Sequence, residues 1–372
     1  MTHPLEPVCF DHDDAAARGR AHGELWRAEI HELAEIRCAL MLHDAAAVGV
    51  RLDRAGLEAL AGTHLPLLAR EEPEAHAELL GIATGSDLSP ERIVVLNHYT
   101  DLRDVLFSPG ALTREPDGCT AIYLHGREGP TLGQTWDMHA SAAPYVRMMR
   151  IAPRHGGTEV LCLTLVGCLA LAGIGQHGVA VTINNLCSTD ARVGLVWPAL
   201  VRSLLACPDA PTAYARLRRA PLGSGHHYMI ADARAFYGVE CSGAHKVLTQ
   251  SGPKAAHLHT NHCFDPVLRT CEAVPRVTTT FARLNMATTL YAQQRPRDLE
   301  GLWSLLGSHD GEPRSICTHV EGDDPSASRT CARIAMLPTQ GRMRVALGCS
   351  REGEPLELQL ERFMPDDAPV DA

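Results

Sequence analysis

Several features that would assign this chain to a particular class of protein are missing from its sequence. No uninterrupted apolar segment reaches the roughly 20 residues that a membrane-spanning helix requires, and the N-terminus lacks the basic flank and apolar stretch of a signal peptide. The net charge is -10, and no basic run interleaved with aromatic residues suggests nucleic-acid binding. The thirteen cysteines form no Cys-x-x-Cys pair, so a disulfide framework is not expected. These absences predict a cytoplasmic protein that binds neither membranes nor nucleic acid.

What the sequence does contain is the composition of a globular protein with an ample core. Of its 372 residues 45% are hydrophobic and 21% are charged, which allows one large domain or two ordinary ones. Up to about residue 108 apolar residues recur at helical spacing, whereas from Cys119 short apolar segments alternate with Gly/Pro turns. Residues 108–118 are rich in Pro, Gly and charge. We therefore predict a helical N-terminal segment, 1–118, followed by a β-rich core, 119–372.

The spacing of apolar and turn residues gives approximate bounds for the elements. The predicted helices are 15–42, 75–82, 89–105, 196–206, 211–219, 276–293 and 298–307. The predicted strands are 119–126, 131–138, 145–152, 158–166, 178–185, 226–233, 235–241, 257–261, 329–336, 342–347 and 356–360. Strands grouped in hairpins, with blocks of helix between them, are typical of α+β layers and not of a parallel Rossmann-type sheet.

The most informative pair of residues is Gly118-Cys119, which follows the turn residues Pro116 and Asp117. Cys119 begins a predicted strand, so its thiol would lie at the head of the strand beside a tight turn. A thiol in that position can attack the carbonyl of Gly118, which has no side chain to obstruct the approach. Cleavage would make Cys119 a new N-terminus whose α-amine serves as its own base, as in an N-terminal nucleophile (Ntn) hydrolase. A small buried Cys beside a surface turn is the simpler alternative.

The predicted hairpin brings a carboxylate towards this pair. With strands 119–126 and 131–138 joined by a turn at 127–130, position 119 lies opposite position 138. Asp137 is then about one residue from Cys119 across a strand separation of roughly 5 Å. The sequence therefore predicts that the Asp137 carboxylate reaches the Cys119 thiol and the amine that cleavage would release.

Several short segments, in a consistent order along the chain, resemble one family. They are 19–23, 78–83, 96–97, 117–120, 133–137, 178–186 and 259–262. Together they resemble the acyl-coenzyme A:6-aminopenicillanic acid acyltransferase family of self-processing Ntn hydrolases. The resemblance implies an α+β fold, namely a four-layer αββα sandwich of two antiparallel sheets with the N-terminal helical segment packed against them.

The resemblance also implies roles for individual residues. Gly118-Cys119 would be the cleavage site, and Cys119 the nucleophile in both self-cleavage and turnover. Asp137 would orient the new α-amine, and Asn261 would donate a hydrogen bond to the tetrahedral oxyanion. Asn184 or Asn185 would be a second donor to the oxyanion, and Asn184 is preferred. The candidate substrate contacts are Ser328, Arg329, Thr120 and Trp136.

The reaction implied is acyl transfer through a Cys119 thioester. The acyl donor would be a small-molecule amide or an acyl thioester such as acyl-coenzyme A, and the acceptor water or an amine. An α-amine has a pKa of roughly 7.7–8 and a thiol one of about 8.5, so the two can share a proton near neutral pH. No cofactor is expected. After cleavage the small and large chains would form an αβ heterodimer.

One further interpretation of these residues is not favoured, and two others stay open. His257 and His259 would share one face of a strand and suggest a metal site, but no carboxylate or thiolate lies at a useful spacing, so we predict none. Cys119 paired with a distant His would give a cysteine hydrolase without self-cleavage. A non-catalytic Ntn-fold binding protein would retain Cys119 only as a processed terminus.

Overall fold

The computed structural model describes residues 5–112, 118–252, 256–319 and 324–364, so the turn residues Pro116 and Asp117 lie outside the described residues. The described helices are α1 (Ala15–Leu25), α2 (Arg27–Ala47), α3 (Arg54–Gly62), α4 (Leu65–Glu71), α5 (Pro73–Ser86), α6 (Pro90–Asn97), α7 (Tyr99–Leu106), α8 (Trp197–Leu205), α9 (Ala210–Arg219), α10 (Thr280–Gln294) and α11 (Leu299–Leu306). The described strands are β1 (Val8–Phe10), β2 (Gly118–Gly126), β3 (Gly129–His139), β4 (Val146–Ile151), β5 (Val160–Leu165), β6 (Ala172–Gly175), β7 (Ala180–Leu186), β8 (Gly225–Ala231), β9 (Phe236–Cys241), β10 (Lys246–Ser251), β11 (Ala256–His259), β12 (Ser328–Leu337), β13 (Arg342–Leu347) and β14 (Leu356–Gln359).

The described strands form two sheets. The first has the order β1-β4-β5-β6-β7-β8-β9-β10, and the second has the order β11-β2-β3-β12-β13-β14. Neighbouring strands pair antiparallel throughout, except that β1 runs parallel to β4 at the edge of the first sheet. The prediction of two antiparallel sheets is therefore correct apart from β1. Three residues are too few to show an alternating pattern, which is why the sequence did not reveal this strand.

The two sheets pack face to face, with helices on both outer faces. Tyr123 of β2 stacks on Phe236 of β9 with ring centroids 3.8 Å apart. The N–H of Ile183 on β7 donates to Gln134 on β3 at 2.8 Å. Helices α8 and α9 cover the first sheet, and α10 and α11 cover the second. This arrangement confirms the predicted four-layer αββα sandwich.

The N-terminal helices α1–α7 share the core of the sandwich. Ile30, Leu33 and Leu79 are fully buried in one continuous apolar cluster that also contains residues of both sheets. Burying each such side chain contributes on the order of 2 kcal/mol. The N-terminal segment is therefore bound to the β-rich core by extensive hydrophobic burial as well as by the chain connection.

Two of the family-like segments meet where α1 crosses α5. A Cβ on Gly19 would lie 2.0 Å from the carbonyl oxygen of Glu78, and one on Gly81 would lie 2.2 Å from a carbonyl oxygen of α1. Only glycine permits so close an approach. Arg18 and Glu78 join the two helices through a buried ion pair of 2.8 Å. Both segments therefore contribute to the packing of α1 against α5.

Two of the long predicted helices are each divided by one residue. The predicted helix 15–42 is broken at Trp26, and the predicted helix 89–105 is broken at His98. Their dihedral angles, φ -116° and ψ 29° at Trp26 and φ -113° and ψ 23° at His98, leave the helical region. The Ser89 hydroxyl caps α6 by accepting the N–H of Arg92. In the described parts of the chain, no helix combines the length and apolar character needed to cross a bilayer.

Candidate active site

Cys119 lies near the start of β2, on the face of the second sheet that packs against the first. It shares this face with Tyr123, four residues further along the strand, and it is only 6% exposed. Trp136 of β3 lies directly opposite it and is also buried. Thr120 is fully buried and donates its N–H to the hydroxyl of Thr135 at 3.1 Å. Of the two candidate substrate contacts, Trp136 is thus packed on the same face as the thiol, whereas Thr120 points to the opposite face of the sheet.

The register of the β2–β3 hairpin differs from the prediction by two positions. Gly129, with φ at 93°, closes a turn of two residues where four were predicted. Cys119 therefore lies opposite position 136 and not opposite position 138. Asp137 lies opposite Gly118, and so it is still one residue from Cys119 across the ladder, as predicted.

The carboxylate of Asp137 faces the helical layer behind the second sheet. Directly opposed residues share a face of a sheet, so Asp137 points to the side of Gly118 and away from the Cys119 side chain. Its Oδ1 accepts a hydrogen bond from the Thr330 hydroxyl at 2.7 Å, and its Oδ2 accepts one from the Thr318 hydroxyl at 3.3 Å. A Cβ added to Gly118 would lie 3.5 Å from Oδ2. The structure therefore places the carboxylate beside the Gly118 backbone.

Asn261, just after β11, joins three parts of the site through its side-chain amide. Its Oδ1 accepts hydrogen bonds from the backbone N–H of Cys119 at 2.7 Å and from Nη2 of Arg283 at 2.8 Å. Its Nδ2 donates to the carbonyl oxygen of Asn185 at 2.9 Å. These partners fix the orientation of the amide, because N–H groups require an acceptor and a carbonyl requires a donor. In the uncleaved chain Asn261 therefore holds the nitrogen that cleavage would convert into the α-amine.

The structure gives different positions to the two asparagines predicted as alternative second donors. Asn185 receives the Asn261 amide on its backbone carbonyl. Asn184 is fully buried, and its Oδ1 lies 3.2 Å from Nδ1 of His227. Its Nδ2 finds no hydrogen-bond partner among the described residues. A buried amide left without a partner costs about 1–3 kcal/mol. The Asn184 N–H groups can therefore bind a ligand without breaking an existing hydrogen bond.

Arg283 on α10 is a site residue that the sequence analysis missed. Its fully buried guanidinium donates from Nη1 to the carbonyl oxygen of Cys119 at 2.7 Å and to the Thr120 hydroxyl at 3.1 Å, and from Nη2 to Asn261. The available signal was its position in the stripe of buried residues Thr280, Ala287 and Leu290 on this helix. An arginine in such a stripe is unusual, but the helix alone does not show which strand it covers.

Ser328 and Arg329, the other predicted substrate contacts, begin β12. Ser328 lies opposite His139 on β3, and the Arg329 guanidinium forms an ion pair of 2.9 Å with Glu352. The next residue along the strand, Thr330, is the one that contacts Asp137. The structure therefore brings Thr330 into the site and directs Arg329 towards Glu352.

The histidine-rich segment before Asn261 forms a buried network. His259 pairs with Glu240 through Nε2 at 2.8 Å, donates from Nδ1 to the Thr260 carbonyl oxygen at 2.6 Å, and stacks on His227 with centroids 3.6 Å apart. Burial and the neighbouring histidines hold the pKa of His227 well below its ordinary value, so that ring is neutral. The network fixes the end of β11, and with it the position of Asn261.

Comparison with known proteins identifies a family for this arrangement. The family model described as acyl-coenzyme A:6-aminopenicillanic acid acyl-transferase matches residues 124–352, more than half of the chain. The matched range contains Asp137, Asn184, Asn261 and Arg283, and it begins five positions after Cys119. No curated protein matches the chain.

Among solved structures, the chain is similar to penicillin V acylase from Agrobacterium tumefaciens, with 14% identity and a TM-score of 0.42 over 65% of this chain and 86% of the acylase. It is also similar to two variants of the conjugated bile acid hydrolase from Clostridium perfringens. The first has 10% identity and a TM-score of 0.40, and it aligns over 67% of this chain and 95% of the hydrolase. The second has 12% identity and a TM-score of 0.42 over the same shares. On the family match, this chain belongs to the acyl-coenzyme A:6-aminopenicillanic acid acyltransferase family.

Proposed function

We propose that this protein is a self-processing amidohydrolase or acyltransferase that uses Cys119 as an N-terminal nucleophile. The observation that carries the proposal is the hydrogen bond of 2.7 Å from the Cys119 N–H to Oδ1 of Asn261, beside the buried guanidinium of Arg283. Both backbone polar groups of Cys119 are thus held by side chains from other elements. Membership of an acyltransferase family supports acyl transfer as the class of reaction.

Self-cleavage would proceed as an N-to-S acyl shift. The Cys119 sulfur bonds to the carbonyl carbon of Gly118, the thiol proton passes to the Cys119 nitrogen, and the C–N bond breaks to leave a thioester. Water then hydrolyses the thioester, which releases the Gly118 carboxylate and restores the thiol. The products are a small chain, 1–118, and a large chain, 119–372.

The neighbouring side chains suit this step. Arg283 and Asn261 hold the carbonyl and the nitrogen of Cys119, so that the attacking and departing groups keep one relative orientation. A Cβ on Gly118 would lie 2.9 Å from Nη2 of Arg283. A side chain at position 118 would therefore push against the guanidinium that holds Cys119, and glycine also leaves its own carbonyl open to attack.

In turnover, the freed α-amine would accept the thiol proton while the sulfur attacks the substrate carbonyl. The substrate leaving group takes that proton, and an acyl-Cys119 thioester remains. Water would resolve the thioester in an amidohydrolase, and an amine would resolve it in an acyltransferase. The unpaired buried amide of Asn184 is the proposed oxyanion donor, and one such donor is typically worth about 3–4 kcal/mol of barrier.

Cleavage would also create the room that a small-molecule substrate needs. In the continuous chain Cys119 is 6% exposed. A surface cleft of about 710 Å³ is lined by Glu72, Arg202 and Arg216 and not by Cys119. Movement of the new C-terminus at Gly118 would expose the thiol, and the shared core would keep the two chains together as a heterodimer.

The decisive experiment is the intact mass of the purified protein under denaturing conditions. We expect two species, with the larger beginning at Cys119, and both co-eluting in native size exclusion. Cys119→Ala should remain full length, whereas the matched control Cys207→Ala, a buried thiol on the far side of the first sheet, should be cleaved normally. A full-length wild-type chain that turns over substrate would instead indicate a cysteine hydrolase without self-cleavage.

A second assay distinguishes the two acyl-transfer reactions. The mature protein is incubated with acyl-coenzyme A, with and without a primary amine, and free thiol is followed with a thiol reagent. Thiol release that depends on the amine indicates an acyltransferase, whereas acid release from simple amides indicates an amidohydrolase. A cleaved chain that binds such molecules without turning them over would overturn the enzymatic proposal and favour a binding protein.

A further inference from the structure

Four potential metal ligands converge at a point that the proposed function does not use. His309, Cys317 and His319 lie on the segment after α11, and Cys349 follows β13. One ligand atom from each residue can be chosen so that all four lie within 4.8 Å of one another. The two cysteines are buried and the two histidines are partly exposed, so a metal could enter from the surface.

The distances are close to those of a tetrahedral site. Nε2 of His309 lies 3.1 Å from the Cys349 sulfur, and Nε2 of His319 lies 3.4 Å from it. Zinc–sulfur and zinc–nitrogen bonds of about 2.3 and 2.0 Å at a tetrahedral angle separate the sulfur and nitrogen atoms by about 3.5 Å. These two nitrogen–sulfur pairs would need to move apart by only a few tenths of an ångström, whereas any ligand atoms at the 4.8 Å limit would need to move closer together.

The groups around the ligands match what thiolate and imidazole ligands need. The backbone N–H of Arg351 donates to the Cys349 sulfur at 3.2 Å, and the backbone of Ser350 donates to the Cys317 sulfur. The Ser350 hydroxyl lies 3.4 Å from Nδ1 of His309, which leaves Nε2 as the coordinating atom. Such outer partners orient the ligands of metal sites.

The chemistry of the ligand set selects the metal. Two thiols and two imidazoles, with no carboxylate among the four, suit zinc rather than magnesium or calcium. We infer that His309, Cys317, His319 and Cys349 form a four-coordinate structural zinc site. Four protein ligands leave no open position for substrate, so the site is structural and not catalytic. The inference is independent of the proposed function.

The site would stabilise one wall of the candidate active site. Thr318 lies between two of the ligands, donates its N–H to the Thr330 hydroxyl at 2.9 Å, and donates its own hydroxyl to Asp137. Zinc would tie this segment to the end of β13 and so hold Thr318 against Asp137. The sequence analysis considered only His257 and His259 as metal ligands. The four residues found here share no short motif, and the first and last are 40 positions apart.

The test is metal content, followed by cobalt substitution. Protein purified under reducing conditions should contain one zinc per chain by elemental analysis. Metal-free protein titrated with Co²⁺ should give the thiolate charge-transfer and tetrahedral d–d absorption at one equivalent. Cys349→Ser and His319→Asn should each lose most of this absorption. Cys331→Ser, which removes a buried thiol outside the cluster, should retain it.

Chelation provides a measurement that does not depend on the variants folding. Wild-type protein should lose thermal stability when a chelator is added and regain it when zinc is restored. Failure of reduced, metal-free wild-type protein to bind either Zn²⁺ or Co²⁺ would overturn the inference. Equal binding by a Cys317→Ser/Cys349→Ser double variant and the wild type would overturn it as well, since the metal would then lie elsewhere.

Discussion

Arg283 donates a hydrogen bond of 2.7 Å from Nη1 to the carbonyl oxygen of Cys119, although 164 residues separate the two in the sequence. The guanidinium is fully buried on the inner face of α10, where desolvation makes a charge costly. Its hydrogen bonds to Cys119, Thr120 and Asn261 offset that cost. A positive charge held in this way gives the candidate nucleophile a fixed electrostatic environment.

Arg283→Met should slow self-cleavage by about 10²–10³-fold, because it removes the donor to the Cys119 carbonyl oxygen and the donor that holds Asn261 beside the Cys119 N–H. The measurement is the half-life of the full-length chain after cell-free synthesis, followed on denaturing gels. Circular dichroism reports whether the variant folds. The matched control is Arg276→Met, an exposed arginine just before α10, which should be cleaved at the wild-type rate. Wild-type cleavage kinetics in folded Arg283→Met would contradict the role.

Asn261→Ala should reduce self-cleavage by a similar factor, since the Cys119 N–H loses its acceptor. Asn261→Asp keeps an oxygen for that N–H but loses the donor to Asn185, so it should retain more cleavage than Asn261→Ala. Asn285→Ala, at an exposed position on α10, is the control. The critical observation is which of the two Asn261 variants is cleaved faster. Faster cleavage of Asn261→Ala than of Asn261→Asp would exclude the acceptor role.

Thr330→Val should destabilise the protein by about 1–3 kcal/mol, because the buried Asp137 carboxylate loses the hydrogen bond that the Thr330 hydroxyl donates. Urea unfolding of the Cys119→Ala background measures this loss without interference from cleavage. Asp137→Asn in the same background removes the charge. In a double-mutant cycle the two changes should be strongly non-additive, and additive effects would show that the two side chains act independently.

His22 should make the protein less stable in mild acid. Burial lowers its pKa to about 4 from an ordinary 6.5, and Nε2 accepts the Gly167 N–H at 2.8 Å, which only the neutral ring can do. Between these two pKa values, His22 therefore binds a proton in the unfolded chain but not in the native chain. The contribution of neutral His22 to the free energy of unfolding is complete above the pKa of the unfolded chain. It is lost as the pH falls from about 6.5 to 4, at about 1.4 kcal/mol per pH unit.

The measurement is urea unfolding at about pH 7 and about pH 5. His22→Gln should show a smaller difference between the two pH values than the wild type, because a glutamine oxygen can accept the Gly167 N–H without titrating. His43→Gln, at an exposed position on α2, should leave the difference unchanged. An undiminished pH dependence in His22→Gln would show that other groups account for it.

Much of the fold could be predicted from local patterns, and the errors have local causes. The β2–β3 hairpin was predicted with a four-residue turn, but Gly129 allows a two-residue turn, and the register moved by two positions. A shift of two positions keeps each side chain on the same face, so Asp137 points away from the Cys119 side chain in either register. The breaks at Trp26 and His98 depend on dihedral angles that apolar spacing does not encode.

The sequence by itself determined the features that depend on neighbouring residues: a thiol directly after Gly118, a carboxylate one ladder position away, and the layered α+β architecture. Only the tertiary structure decided which distant groups meet there. Arg283 and Asn261 reach Cys119 because α10 and the end of β11 pack against β2, and Thr330 reaches Asp137 because β12 pairs with β3. The same holds for the four proposed zinc ligands. Such encounters arise from the packing of whole elements, so no local spacing encodes them.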